Sequence, residues 1–187
     1  MLERYELKYM IPRSMIGPIS DYLSIYCSPD KYSEKSEDGF YAINNLYLDS
    51  PNFLFLRKRM DGSENRFNMR IRSYNSISGN PCFFEIKQKS FGVVRKYRAD
   101  VFDENWRNLF ETPGYEMDNI VNEKNKSNVS LFYRTAYSYQ AEPKVLTRYR
   151  RKAYVSDVDE YARATFDCDL CYQPMEAYTL IPDEIRR

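Results

Sequence analysis

Polar and apolar positions alternate with a period of two along much of the chain, and the runs of alternation set out its elements. ERYELKYMI (residues 3–11) places Arg4, Glu6 and Lys8 on one face and Tyr5, Leu7 and Tyr9 on the other, predicting an opening strand. Pro12 and Ser14 then introduce a helical spacing, with Ile16, Ile19, Leu23 and Tyr26 three to four residues apart, ending near CSPD. KYSEKSEDG reads as a polar, mobile loop, FYAINNLYLDS as the second strand, and Pro51 opens a short helix running through Phe55 to Arg59. RFNMRIRSY, CFFEIKQK and GVVRKYRADV follow closely, separated by the turn-rich NSISGNP and by SFG, and predict an antiparallel meander. Residues 103–139 lose the alternation and carry helical patches at Trp106–Phe110 and Val129–Tyr137, an excursion that would cover the sheet. PKVLTRYRRKAYV and YARATFDCDL return to strand, and the tail MEAYTLIPDEIRR shows no closing element.

The same period sorts the charges. In RFNMRIRSY, Arg66, Asn68, Arg70 and Arg72 share one face while Phe67, Met69 and Ile71 share the other. Stacked like charges repel, so three guanidiniums on one side ask for an anion opposite them. Glu85, Lys87 and Lys89, then Lys96 and Arg98, then Arg163, Thr165 and Asp167 form comparable faces, each backed by an apolar or aromatic one. A half-solvated sheet with polar residues outward explains any one of these strands. If the sheet curls into a barrel, the polar faces lie either outside an apolar core or inside a wet channel. The amphipathic segments need apolar sheet surface to cover, which favours a charged interior, and such an interior demands a multivalent anion. Arginine forks match phosphate oxygens and lysine supplies point charge. Glu6, Glu85 and Asp167 among them could hold Mg²⁺ or Mn²⁺, which take oxygen ligands; equally, Glu85 and Lys87 could be salt-bridged without metal.

Composition narrows the chemistry. The 187 residues suit one domain with its own core. With 28 Lys and Arg against 27 Asp and Glu the net charge is +1, so any basic site is local, and near-neutrality argues against a nucleic-acid binder. Eighteen Tyr and eleven Phe agree with a sheet-rich protein. Histidine is absent, which excludes Ser-His triads, histidine bases and HExxH zinc sites. Of the four cysteines, Cys168 and Cys171 have the spacing of half a zinc or redox motif, with no second pair or histidine to complete it, and read as structural. The amino terminus resembles no signal peptide and no apolar run approaches a membrane span, so a reduced cytoplasmic setting is expected.

The ordered set ERYELKY, NLYLDSP, RFNMRIRSY, CFFEIKQKS followed by VVRKYRADV, and PKVLTRYRRKAYV leading to RATFD resembles the VTC domain of polyphosphate polymerases, a branch of the triphosphate tunnel metalloenzymes, over nearly the whole chain. The resemblance implies an α+β fold: an antiparallel β-barrel forming a triphosphate tunnel with helices packed on the outside. It implies that Lys8, Arg70, Arg72, Lys87, Arg151 and Arg163 grip phosphates, that Arg59, Lys96, Arg98 and Arg150 extend the basic lining, and that Glu6 and Glu85 face a bound Mn²⁺ or Mg²⁺. Arg151 has the opposite parity to Arg148 and Arg150, and a bulge would reconcile the two choices. The LEVK-like last strand of the family, which supplies a metal-site Glu, has no counterpart after Leu170, so the expected domain, residues 1–187, lacks that strand.

The activity implied is transfer of the γ-phosphoryl group of ATP to a growing polyphosphate chain, with ATP and polyphosphate as ligands and a membrane protein as a further partner. Two alternatives need nearly the same residues: hydrolysis of tripolyphosphate or a nucleoside triphosphate, with Glu6 or Glu85 orienting water, and a non-catalytic module that binds polyphosphate or inositol phosphates.

Overall fold

The computed structural model describes residues 6–74, 81–116, 122–159 and 161–181. The chain is α+β. Its strands are β1 (Cys27–Pro29), β2 (Tyr41–Asp49), β3 (Arg66–Tyr74), β4 (Cys82–Ser90), β5 (Val93–Val101), β6 (Glu142–Ser156) and β7 (Arg163–Pro174). Its helices are α1 (Ile16–Leu23), α2 (Leu54–Met60), α3 (Asn108–Glu111) and α4 (Glu123–Ser138). The chain divides into two compact units, one formed by Ala42–Arg150 with Cys168–Arg187, the other by Met1–Tyr41 with Arg151–Asp167.

In the larger unit the hydrogen-bonded order is β6–β2–β3–β4–β5, and the β2–β3, β3–β4 and β4–β5 pairs are antiparallel. The expected meander is present with its expected strands, each alternating apolar against polar. Leu46, Leu48, Met69, Ile71, Phe84, Ile86 and Ala99 point to one side and are buried. The 16-residue α4 covers that side with Val129, Phe132 and Ala136, spaced three and four apart as one helical face requires. Its first turn is capped by Asn122, whose side-chain oxygen accepts from the Asn125 amide at 2.8 Å. Phe84 and Phe132 meet at 4.8 Å between ring centroids, with Trp106 and Phe110 around them.

Short connections are held by side chains placed for the purpose. Asp49, buried at the end of β2, accepts from the amides of Ser50, Phe55 and Leu56 and so anchors the start of α2. Phe91 and Gly92 join β4 to β5, both with positive φ (45° and 80°), while Ser90 pairs with Val93. Two left-handed residues match the twist of a two-residue hairpin, a task usually given to Asn-Gly. Phenylalanine in that conformation costs about 1–2 kcal/mol.

In the smaller unit β1 pairs antiparallel with the distal part of β6, Cys27 opposite Ser156 and Pro29 opposite Tyr154. Asp30 then organises the segment that follows. Its Oδ1 accepts from the amides of Tyr32 and Ser33, its Oδ2 from the Tyr41 hydroxyl, and buried Ser33 accepts from the Ala153 amide at 2.9 Å. KYSEKSEDG, expected as a mobile loop, is thus a series of turns tied to a strand by its serine.

Three further expectations change. Residues 6–12 form no strand; they are irregular and exposed, and residues 3–5 of the predicted opening strand lie outside the described residues. β1, placed by the sequence pattern in the end of a helix, is a strand because it pairs with β6, a contact between residues more than a hundred positions apart. The tail, in which the sequence pattern shows no closing element, nevertheless buries Leu180 in the core and stacks Tyr178 on Phe110 at 4.6 Å, 6° from parallel. Most of the turn NSISGNP, residues 75–80, and the tail beyond Ile181 fall outside the described residues.

Replacing Phe132 by Ala removes the ring that joins α4 to Phe84. It is expected to lower the unfolding free energy by about 3–5 kcal/mol, read from the denaturant midpoint at unchanged slope.

Candidate functional site

The face of the β2–β5 sheet away from α4 carries the charge. Register brings Tyr47 opposite Arg70, Asn45 opposite Arg72, Arg70 opposite Glu85, and Glu85 opposite Arg98. These residues share one face because they occupy paired positions on alternating strands, while their neighbours Leu46, Ile71, Phe84 and Ala99 go to the core.

Glu85 is the hub. Its side chain is 2% exposed. Arg70 grips Oε2 with Nε at 2.7 Å and Nη2 at 2.6 Å, and the Nε of Arg72 approaches the same oxygen at 4.0 Å. On Oε1, Lys96 Nζ sits at 2.7 Å and Arg98 Nη1 at 3.4 Å. Neutral groups hold the cations from behind: Arg72 donates from Nε to Asn45 Oδ1 at 2.8 Å and Arg70 from Nη1 to the Tyr47 hydroxyl at 3.3 Å. Asn45 in turn donates to Thr147 Oγ1 of β6. The Arg98 guanidinium lies 3.8 Å from the centre of the Phe83 ring and contacts half-exposed Asp100.

The electrostatics follow. Burial alone would push the Glu85 carboxyl up, but Arg70 and Arg72, with the Lys96 hydrogen bond, outweigh it and bring it from 4.5 to about 2. Burial likewise tends to lower Arg70, and the charge of Glu85 raises it instead. The Tyr74 hydroxyl is held below its ordinary value because Arg72 and Arg98 outweigh its burial. Four cations meet two carboxylates, Glu85 and Asp100, so the face keeps an excess of positive charge. That excess is what a multivalent anion would neutralise.

Of the residues singled out from the sequence, Arg70, Arg72, Lys96, Arg98 and Glu85 come together. Lys87 shares their face one pair further along, exposed, with Lys96 directly across from it. Arg66, the third arginine of its strand, is turned aside and closes the preceding loop by donating to the carbonyls of Gly62 and Ser63. Arg59 is exposed on α2, whose Phe55 packs on Phe67 at the apolar side of the sheet. Arg150 has the parity of buried Leu146, opposite to that of Thr147. In the smaller unit Arg151 makes a two-pronged ion pair with Asp167 at 2.6 and 2.7 Å, and Arg163 reaches Asp30 at 2.9 Å. Lys8 and Glu6 pair with each other at 3.3 Å on the exposed segment.

The sequence reading missed Asn45, Tyr47 and Phe83. A pair of asparagines inside the apolar run YAINNLYL was the available signal, because a buried amide needs a polar partner; nothing in the sequence distinguished Phe83 from a core ring.

The carboxylates do not fit a protein-built Mn²⁺ or Mg²⁺ centre. Both oxygens of Glu85 are engaged by cations, Asp167 is held by Arg151, Asp30 by Arg163, and Glu6 by Lys8. Among the described residues no three acidic or cysteine side chains converge. An open groove on the helical side is lined chiefly by the aromatic rings of Phe110, Tyr133, Tyr137, Tyr139 and Tyr178, with Arg57 offset by Glu111, and offers little to a phosphate.

A family model described as the VTC domain matches residues 3–186. No curated protein matches the chain.

Because Glu85 titrates lower in the folded chain than its ordinary value, the stability it supplies is complete above about 4.5 and is lost as the pH falls toward about 2. Glu85→Gln is expected to cost about 3 kcal/mol at neutral pH and to flatten the pH dependence of unfolding across that interval, as read by denaturant titrations at several pH values.

Proposed function

We propose, for a chain that belongs to the VTC domain family and so has a polyphosphate-related function, that the cationic face transfers the γ-phosphoryl group of ATP to a polyphosphate chain. The observation that carries the reading is the excess of positive charge around one buried carboxylate. Phosphoryl transfer asks a protein mainly for alignment and charge neutralisation. Arg70 and Arg72 present planar forks already oriented by Tyr47 and Asn45, so little side-chain entropy is lost when a phosphate takes them up. Lys96 and Arg98 supply charge on the neighbouring strand, and Lys87 extends it. The absence of histidine is no handicap, since this chemistry needs no histidine base. A divalent ion fits best as part of the nucleotide substrate, carried by its phosphates, given that Glu85, Asp167, Asp30 and Glu6 are each already paired with a cation.

A second reading, a polyphosphate-binding module without turnover, is favoured by that same occupation of the carboxylates. Hydrolysis with Glu85 orienting water is less well supported, because neither of its oxygens is left to hold one.

Incubation with ATP and Mn²⁺, followed by gel separation of polymer and assay of orthophosphate, separates the three. Polymer supports the polymerase, orthophosphate alone the hydrolase, and binding without either product the module. Arg70→Ala is expected to weaken polyphosphate binding about ten- to a hundredfold under every reading. Arg59→Ala, on the other side of the sheet, is expected to leave it within about twofold. Both are read by titration with polyphosphate in the presence of excess single-stranded DNA.

A further inference from the structure

The hairpin tip between β4 and β5 displays apolar side chains to water. Phe91 is 74% exposed, Val93 49% and Val94 54%, so three apolar side chains stand together in water at the end of a ribbon. Phe91 occupies the first left-handed position of the turn, where phenylalanine is an uncommon and unfavourable choice; an outlier of this kind points to a use for the side chain it displays.

Charge collars the tip. Residues 87–96 hold Lys87, Lys89, Arg95 and Lys96 and no acidic residue, in a chain whose net charge is only +1. Lys89 faces Val94, Arg95 faces Gln88, and the two cations therefore lie on opposite faces of the ribbon. Lys87, Lys89 and Arg95 make no ion pair among the described residues, and on the adjoining strand Arg66 stands opposite Lys89. A linear phosphate chain lying along the sheet would ask for cations on one face only. Apolar residues at an end, with cations on both sides of it, instead complement a plane that is negative at its surface and apolar just beneath.

We infer that the Phe91–Val94 tip is a membrane-surface wedge that inserts its apolar side chains among the headgroups of an anionic lipid bilayer. Lys89 and Arg95 meet the lipid phosphates while Phe91, Val93 and Val94 enter the interface. Lys89, Phe91, Val93, Val94 and Arg95, which make the contact, take no part in the Glu85 cluster to which Lys96 belongs, and the inference stands whether or not that cluster transfers phosphate.

The test is binding to vesicles of phosphatidylcholine alone and of phosphatidylcholine mixed with phosphatidylserine, with Phe91→Trp as an insertion probe. The native Trp106 is buried and supplies a constant background. The expected result is co-sedimentation with the mixed vesicles only and a blue shift of the Phe91→Trp emission. Phe91→Ser with Val94→Ser should lower partitioning about tenfold or more while leaving polyphosphate titration unchanged. Lys89→Ala and Arg95→Ala should each lower it about fivefold. Unshifted Phe91→Trp emission on mixed vesicles would overturn the inference. So would equal sedimentation of the double-serine variant, which would reduce the effect to charge adsorption, or the same blue shift on soluble polyphosphate, which would assign the tip to the phosphate path.

Discussion

A single buried carboxylate organises the charged face of this protein. Three arginines and a lysine on adjacent strands would repel one another if nothing lay between them, and burying Glu85 without partners would be equally unfavourable. Each problem resolves the other. Glu85 draws the cations to one point, and the cations keep it ionised far below the usual carboxylate range. The balance is incomplete, because the cations outnumber the carboxylates, and the face keeps an excess of positive charge.

The placement of that charged cluster is inseparable from the core. Phe84 and Ile86 enter the apolar cluster on one side of β4, while Glu85 between them projects to the other. Packing of Phe84 against Phe132 and Trp106 therefore fixes the depth at which the carboxylate sits, and the antiparallel register of β3 and β5 fixes which cations can reach it. Asn45 and Tyr47 extend the logic to β2, holding the arginines at angles that they would otherwise sample freely. The same ribbon, followed to its end, leaves the core behind and becomes the exposed tip, so one hairpin carries a buried ionic hub near its base and an apolar, basic extremity.

Occupied carboxylates shape what chemistry the chain can be asked to do. Asp30, Asp167, Glu6 and Glu85 each already meet a lysine or arginine, and a second cation brought to any of them would have to compete. An anion meets the opposite situation, since its oxygens can replace or join a carboxylate as acceptors of the same guanidinium forks.

The linear sequence was enough to assign the meander strands, a short helix after Pro51 that the structure places at Leu54–Met60, the Val129–Tyr137 helical patch inside α4, and the collection of Arg70, Arg72, Lys96 and Arg98 on one side of a sheet. These follow from periodicities of two and of three to four, which depend only on backbone geometry and on the exclusion of apolar groups from water. Tertiary structure alone decided the rest. Cys27–Pro29 became a strand because a distant segment offered it a partner, residues 6–12 did not become one despite their alternation, and Leu180 found the core although no pattern marked it. It also decided that Glu85 is a counter-ion and that Arg66 and Arg59 stand outside its cluster. Alternation tells which face a side chain takes, but only register and packing across strands tell which opposite charge it meets there.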